Sequence, residues 1–100
     1  MTFDRIDQGN ATTLRIEGSL DALSAPDLRL IIDTVVAEKR TPVTVDLKAL
    51  RLIDSSGVGA IVSLYKRIRA DGGTVTVTGL SDQPLAIFKV LRLDRVFKVD

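Results

Sequence analysis

"VTVDLKALRLIDSSGVGAIVSLYKRIRADGGTVTVTGL", residues 43–80, changes its period twice. At its start Val43, Val45 and Leu47 fall on one side of an extended chain, with Thr44 and Asp46 on the other. In its middle Val58, Ile61, Leu64, Tyr65 and Ile68 recur at helical spacing, and Gly72-Gly73 mark the helix end. At its close "TVTVTGL" alternates again, valine on one face and threonine on the other. Strand, helix, strand in so short a span predicts a parallel pair joined by a right-handed crossover.

The flanks extend the pattern. "TTLRIEG" puts Leu14 and Ile16 on one side of a strand and Thr13, Arg15 and Glu17 on the other. "FDRID" before it alternates poorly, and Gly9-Asn10 between the two predicts a hairpin turn. From Ser24 the period becomes helical, with Leu28, Ile31, Ile32, Val35 and Val36 on one stripe. Ser24 is the expected N-cap, Asp27 completes an S-x-x-D box and Pro26 sits in the first turn. "SDQPLAIFKVLRL" predicts a third helix, capped by serine and carrying Leu85, Phe88 and Leu91 on its stripe, and "RVFKV" a short closing strand. The expected architecture is α/β with a mostly parallel sheet. Strands covered on both faces read as continuous apolar runs, whereas these alternate, so the helices are expected chiefly on one face.

Composition removes several function classes. One hundred residues make a single domain, 1–100, with 45% hydrophobic and 27% charged side chains. A net charge of +1 offers no electrostatic case for direct nucleic-acid binding or an anionic membrane. No apolar run is long enough for membrane insertion and no secretory signal is visible, so a cytoplasmic protein is expected. Without cysteine or histidine the chain can build no disulfide, thiolate or His-ligated metal site, Ser–His–Asp triad or phosphohistidine. A self-sufficient hydrolase is not expected, nor any cofactor or metal.

Chemistry concentrates in "IDSSGVG", residues 53–59, in a loop leading from a strand into a helix, where α/β proteins collect their ligands. Either Asp54 or Ser55 can cap the helix, which leaves Ser56 in the first turn with its hydroxyl outward. Gly57 and Gly59 remove side chains there, so that another backbone or a ligand could come close. "G-V-G" lacks the third glycine of a dinucleotide loop, no G-K-[ST] follows, and "S-S-G-V-G" is not a nucleophile elbow. Helix capping alone accounts for Asp54, Ser55 and Ser56, and the local pattern by itself favours that reading over a modification site. Lys66, Arg67 and Arg69 form a polar face, solvated or a docking rim. Leu23, Ala25 and Val58 are either an apolar collar for a partner or core.

Residues 45–80 resemble the central segment of STAS domains, the sulfate transporter and anti-sigma factor antagonist family. "IEGSLDALSAPDLR" resembles the family's stretch running into its first helix, and "VLRLDRVFKV" its closing segment. The resemblance implies a right-handed β–α superhelix. It also implies a stand-alone anti-sigma factor antagonist, a binding protein and not an enzyme. In such a protein the unmodified form captures an anti-sigma serine kinase of the histidine-kinase-like ATPase type and releases its sigma factor. The kinase phosphorylates a serine of the DSSG turn, which abolishes binding, and a phosphatase reverses it. By the same resemblance the acceptor is Ser56, with Ser55 the second choice, and the partner surface comprises Asp21, Asp54, Ser55, Ser56, Gly57, Val58 and Gly59. Two departures stand out: Ser19 occupies a position where the family usually has an acid, and the chain ends at Asp100, where relatives commonly continue into a further helix. An alternative from the same family is an accessory subunit of a membrane lipid transporter that needs the surface but not the phosphorylation. A nucleotide-binding module is a third reading.

Overall fold

The computed structural model describes residues 2–99. Two antiparallel strands, β1 (Thr2–Gln8) and β2 (Ala11–Leu20), open the chain. Gly9-Asn10 turn between them with Gly9 at φ 58°, and Gln8 pairs with Ala11, as expected of a two-residue hairpin loop with glycine first. Helix α1 (Ala25–Ala37) follows, then β3 (Val43–Asp46) and β4 (Leu50–Ile53). Helix α2 (Ser55–Ala70), β5 (Val75–Thr78) and α3 (Asp82–Val90) come next. A 3₁₀ turn at Leu93–Arg95 and β6 (Lys98–Val99) complete the fold.

The sheet runs β1-β2-β3-β5-β6, and every pairing after the hairpin is parallel. β2 is long enough to serve two partners. Its first half pairs with β3, from Thr12 opposite Val43 to Arg15 opposite Asp46. After an irregularity at Gly18/Ser19 its last residues pair with β4, with Leu20 opposite Ile53. β4 is not anticipated by the alternation rule, and its burial explains why. Leu50 and Ile53 are buried while Arg51 and Leu52 between them are exposed, a spacing of three that imitates a helix.

The apolar stripes meet in one core. Leu14, Ile16, Val43, Val45, Val75 and Val77 from the sheet pack with Leu28, Ile32 and Val35 of α1 and with Ile61, Leu64 and Ile68 of α2. Arg15, Glu17, Thr44 and Asp46 occupy the opposite face, exposed or half-buried, so the helices do lie chiefly on one side. Phe88 of α3 is fully buried, and Phe97 bridges it to Tyr65 of α2 with ring centroids 5.8 Å and 4.9 Å away. A buried aromatic of this kind is worth about 3–5 kcal/mol against alanine.

Three local expectations need correcting. Ser81 stands at the N-cap position of α3, as expected, but its side chain makes no capping bond. Ser24 occupies the N-cap position of α1, yet its side chain caps nothing. Its hydroxyl is drawn instead to the Ser19 carbonyl at 3.1 Å and the Asp21 carboxylate at 3.1 Å. Leu91 does not share the α3 stripe: the helix ends at Val90, Arg92 turns left-handed at φ 58°, and Leu91 is left 52% exposed. Among the described residues no helix is long and apolar enough to cross a membrane.

Candidate functional site

β2 and β4 are parallel neighbours, so their carboxyl ends deliver two loops to the same place. The backbone N–H of Asp54 donates to the Leu20 carbonyl at 3.1 Å, joining the loop into α2 to the loop into α1. Asp21 and Asp54 thereby line one open crevice of about 270 Å³, together with Ser19, Leu20, Leu52, Ile53 and Gln83.

Each acid organises its own turn. Asp54, not Ser55, is the N-cap of α2: its backbone is extended, and its carboxylate accepts from the Ser56 amide at 2.9 Å and the Gly57 amide at 3.2 Å. Asp21 accepts from the amides of Leu23 at 3.0 Å and Ser24 at 3.2 Å, and from the Ser24 hydroxyl. The Leu23 amide first, then the Ser24 hydroxyl, holds the Asp21 carboxyl below its ordinary range. The Ala25 amide donates to the Asp21 carbonyl at 2.8 Å, so the turn that starts α1 hangs on Asp21.

The two serines differ from Ser24 in one respect. Among the described residues neither the Ser55 nor the Ser56 hydroxyl has a hydrogen-bond partner within the chain. Ser55, the first helical residue, is exposed, and Ser56 behind it is half-buried. The glycines do not leave equal room. A Cβ on Gly57 would lie 2.7 Å from the Leu20 carbonyl oxygen, 2.7 Å from Leu20 Cγ and 2.8 Å from Ile53 Cγ1. Gly57 therefore admits another backbone, that of Leu20, the first of the two approaches expected there, and the space for a ligand, the second, is filled. On Gly59 a Cβ would meet only the end of Arg29, at 3.4 Å from Nη2. Val58 is 8% exposed and Ala25 is buried, so of the expected collar only Leu23, 90% exposed, faces outward.

Three contributors escape sequence reasoning. Leu52, 55% exposed, adds an apolar side chain to the crevice, and only its place outside the strand alternation hints at this. Gln83 reaches from α3 and treats β4 as a neighbouring strand would. Its Oε1 accepts from the Ile53 amide at 3.0 Å and its Nε2 donates to the Ile53 carbonyl at 2.9 Å. No pattern signals this contact. Arg29, exposed on α1, brings a cation beside Gly59. The basic face of α2 is partly engaged elsewhere: Arg67 pairs with Asp33 of α1 at 2.7 Å, and Arg69 lies 5.9 Å from the Tyr65 ring.

This surface offers two unengaged hydroxyls, two carboxylates committed to backbone amides, and flanking apolar side chains. Among the described residues no carboxylate or other base accepts a hydrogen bond from either serine hydroxyl.

Comparison with known proteins follows the same line. The chain is 28% identical over 90 residues to the anti-sigma-B factor antagonist of Bacillus subtilis, covering 90% of this chain and 82% of that one. An anti-sigma factor antagonist from Mycobacterium paratuberculosis superposes with a TM-score of 0.88 at 22% identity, over 98% of this chain and 83% of that one. The Bacillus cell fate determinant SpoIIAA in its phosphorylated form superposes at 0.80 and 21% identity, over 99% and 91%. A family model described as "Mlab, STAS domain" matches residues 4–99, and with that span covered the chain belongs to the STAS domain family.

Proposed function

We propose that this protein is an anti-sigma factor antagonist that works by switching partners. Its unmodified surface around the DSSG turn captures an anti-sigma serine kinase of the histidine-kinase-like ATPase type, and the sigma factor held by that kinase is released. Transfer of a phosphoryl group from ATP to Ser56 Oγ, with Ser55 as second choice, ends the capture, and a phosphatase restores it. The chain supplies the surface and the acceptor, and the partner supplies the catalysis.

The observation that carries this reading is the state of the helix N-terminus. A helix start with free amides would draw a phosphate inward. Here the Asp54 carboxylate already accepts from Ser56 and Gly57. A phosphate on Ser56 is therefore turned outward, next to a carboxylate, where a partner must cover it. Leaving a charge unpaired in a covered interface typically costs about 3–5 kcal/mol, and about 2.7 kcal/mol already weakens binding a hundredfold. Two comparisons support it: the B. subtilis relative is named as an antagonist of an anti-sigma factor, and a similar fold is known in a phosphorylated form.

The test pairs intact-mass analysis with binding. Incubated with its cognate kinase and ATP, the protein should gain one phosphoryl group mapped within residues 52–61, and Ser56→Ala should abolish the gain. Ser56→Asp should weaken capture of the kinase at least tenfold. Full phosphorylation of Ser56→Ala at a serine outside the turn, or unimpaired binding by Ser56→Asp, defeats the proposal.

A second reading draws on one comparison. A sulfate transporter family protein from Wolinella succinogenes superposes with a TM-score of 0.78 at 16% identity. An accessory subunit of a membrane transporter would use the same crevice without modification. It predicts co-purification with a membrane complex and indifference to Ser56→Ala.

A further inference from the structure

The sheet has three free edges among the described residues, and they are treated differently. β4 is covered by the Gln83 side chain, and β6 is two residues long. β1 is seven residues long, without proline, glycine, lysine or bulge, and its outer edge pairs with nothing. Charged side chains are one device that ordinarily blunts such an edge, and β1 carries three, Asp4, Arg5 and Asp7. Their order of signs lets one antiparallel register set opposite charges together, so the edge is selective for a matching strand instead of closed.

The hairpin fixes which groups point outward. In a two-residue loop the closing pair, here Gln8 and Ala11, exchanges both backbone hydrogen bonds. Counting back, Gln8, Ile6, Asp4 and Thr2 direct N–H and C=O toward β2, while Asp7, Arg5 and Phe3 direct theirs away. We propose that β1 pairs antiparallel with β1 of a second copy about a two-fold axis at Ile6, making one continuous sheet.

The sequence of the strand selects the register. A two-fold axis normal to the sheet sets one residue opposite its own copy. Centring on Asp4, Arg5 or Asp7 brings two like charges face to face, which is unfavourable. Centring on Phe3 leaves only residues 2–4 overlapping. Centring on Ile6 sets Arg5 opposite Asp7 of the second copy, and Asp7 opposite its Arg5. Those are the residues whose backbone groups point outward, so the two pairs exchange four hydrogen bonds. Within one chain Arg5 already grips Asp7 at 3.0 Å and Glu38 at 2.7 Å on the helix side of the sheet. The second copy turns that pair into a ring of alternating charge. On the open side Ile6, 41% exposed, covers its own counterpart. Ile6 lies opposite Thr13, towards the start of β2, whereas the DSSG crevice adjoins Leu20 at its end. Both crevices stay open, at opposite ends of the joined sheet.

The absence of cysteine makes the register directly testable. Ile6→Cys places two thiols at a directly opposed, non-hydrogen-bonded pair, with Cβ atoms about 4.5–5.5 Å apart, within easy reach of a disulfide. Asp4→Cys and Gln8→Cys sit on the same exposed face, but each is about 13 Å from its own copy in this register. Under mild oxidation Ile6→Cys should give a covalent dimer at least tenfold faster than either control. A mixture of the two controls should link heterotypically. Sedimentation of the unmodified chain should show mass rising towards twice the monomer with concentration. A monomer throughout, or three cysteine variants that link at one rate, overturns the proposal.

Discussion

Gly57→Ala adds a single methyl group at the third position of α2 and tests what the DSSG turn is built for. Alanine ordinarily favours a helix over glycine by about 0.8–1.0 kcal/mol. Here the new Cβ would come within 2.7 Å of both the Leu20 carbonyl oxygen and Leu20 Cγ, and within 2.8 Å of Ile53 Cγ1. One obstacle is backbone, held in place by the Asp54 amide it accepts from. The side chains belong to the core: Leu20 is wholly buried and Ile53 nearly so. Overpacking a core costs about 1–3 kcal/mol, and an immovable carbonyl puts this case at the upper end. After the helix gain the net loss is about 2 kcal/mol. For a domain of this size that lowers the melting temperature by about 8–16 °C.

Gly59→Ala, two residues on, should go the other way. Its Cβ meets only the end of the flexible Arg29 side chain at 3.4 Å. The helix gain of up to about 1 kcal/mol survives, and the melting temperature rises by a few degrees. Circular dichroism melts of both variants with the wild type decide the matter. If Gly57→Ala melts as high as wild type, the close packing described here is wrong, and the glycine is free to serve a ligand. If Gly59→Ala is the worse of the two, the room around these glycines does not govern the stability of α2.

Other expectations are briefer. Asp54→Ala removes the N-cap of α2 and should cost about 1 kcal/mol, read as a shift in urea midpoint, while Ser55→Ala should stay within about 0.5 kcal/mol. Gln83→Ala strips two hydrogen bonds from Ile53 and should cost about 1–3 kcal/mol, with faster amide exchange at Ile53 than at Leu14; equal exchange would refute the strand-mimicking role. Acid should weaken the fold in a set direction. The carboxyls of Asp7 and Glu38, through hydrogen bonds from Arg5 above all, and Asp21, through the Leu23 amide, are held below their ordinary values. A depressed folded value means stability that is complete above the unfolded value near pH 4 and is lost as the pH falls below it. Urea midpoints that are the same at pH 3 and pH 6 would contradict this.

Sequence periodicity carries far where one face of an element is buried and the other is not. The stripes of α1 and α2 and the valine faces of β3 and β5 are all of that kind, and each is found where its spacing places it, while the Gly9-Asn10 turn is legible from residue type alone. β4 escapes because Leu52 is outward in an apolar run, turned towards the crevice and not the core. The cap of α1 escapes for a different reason. Ser24 has the right residue type and spacing, but Asp21 three residues earlier offers a carboxylate that bonds the Leu23 and Ser24 amides and the Ser24 hydroxyl. Local side-chain bonds of similar strength compete, and a spacing rule does not rank them. At α2 the same competition has a clear result, because Asp54 lies in extended conformation directly ahead of the helix. Gln83 lies thirty residues from Ile53 and belongs to another element, so nothing local could announce it.

The candidate switch depends on how separable the fold is from the surface, and Asp54 bears on both. A negative charge introduced at Ser56 meets the Asp54 carboxylate, and across about 6 Å of water-like medium two unit charges repel by about 0.7 kcal/mol. The same charge sits in the first turn of a sixteen-residue helix, where the helix dipole favours it by about 0.3–1 kcal/mol. The two effects nearly cancel. Ser56→Asp should therefore unfold at a urea midpoint indistinguishable from wild type, while its loss of partner binding remains large. In Asp54→Asn the repulsion is gone and only the dipole remains, so adding Ser56→Asp to that background should stabilise the chain by a few tenths of a kcal/mol or more. The double-mutant cycle isolates the pair. A coupling of zero would mean that the Ser56 side chain points away from Asp54, and the outward placement argued for the phosphate would lose its cause.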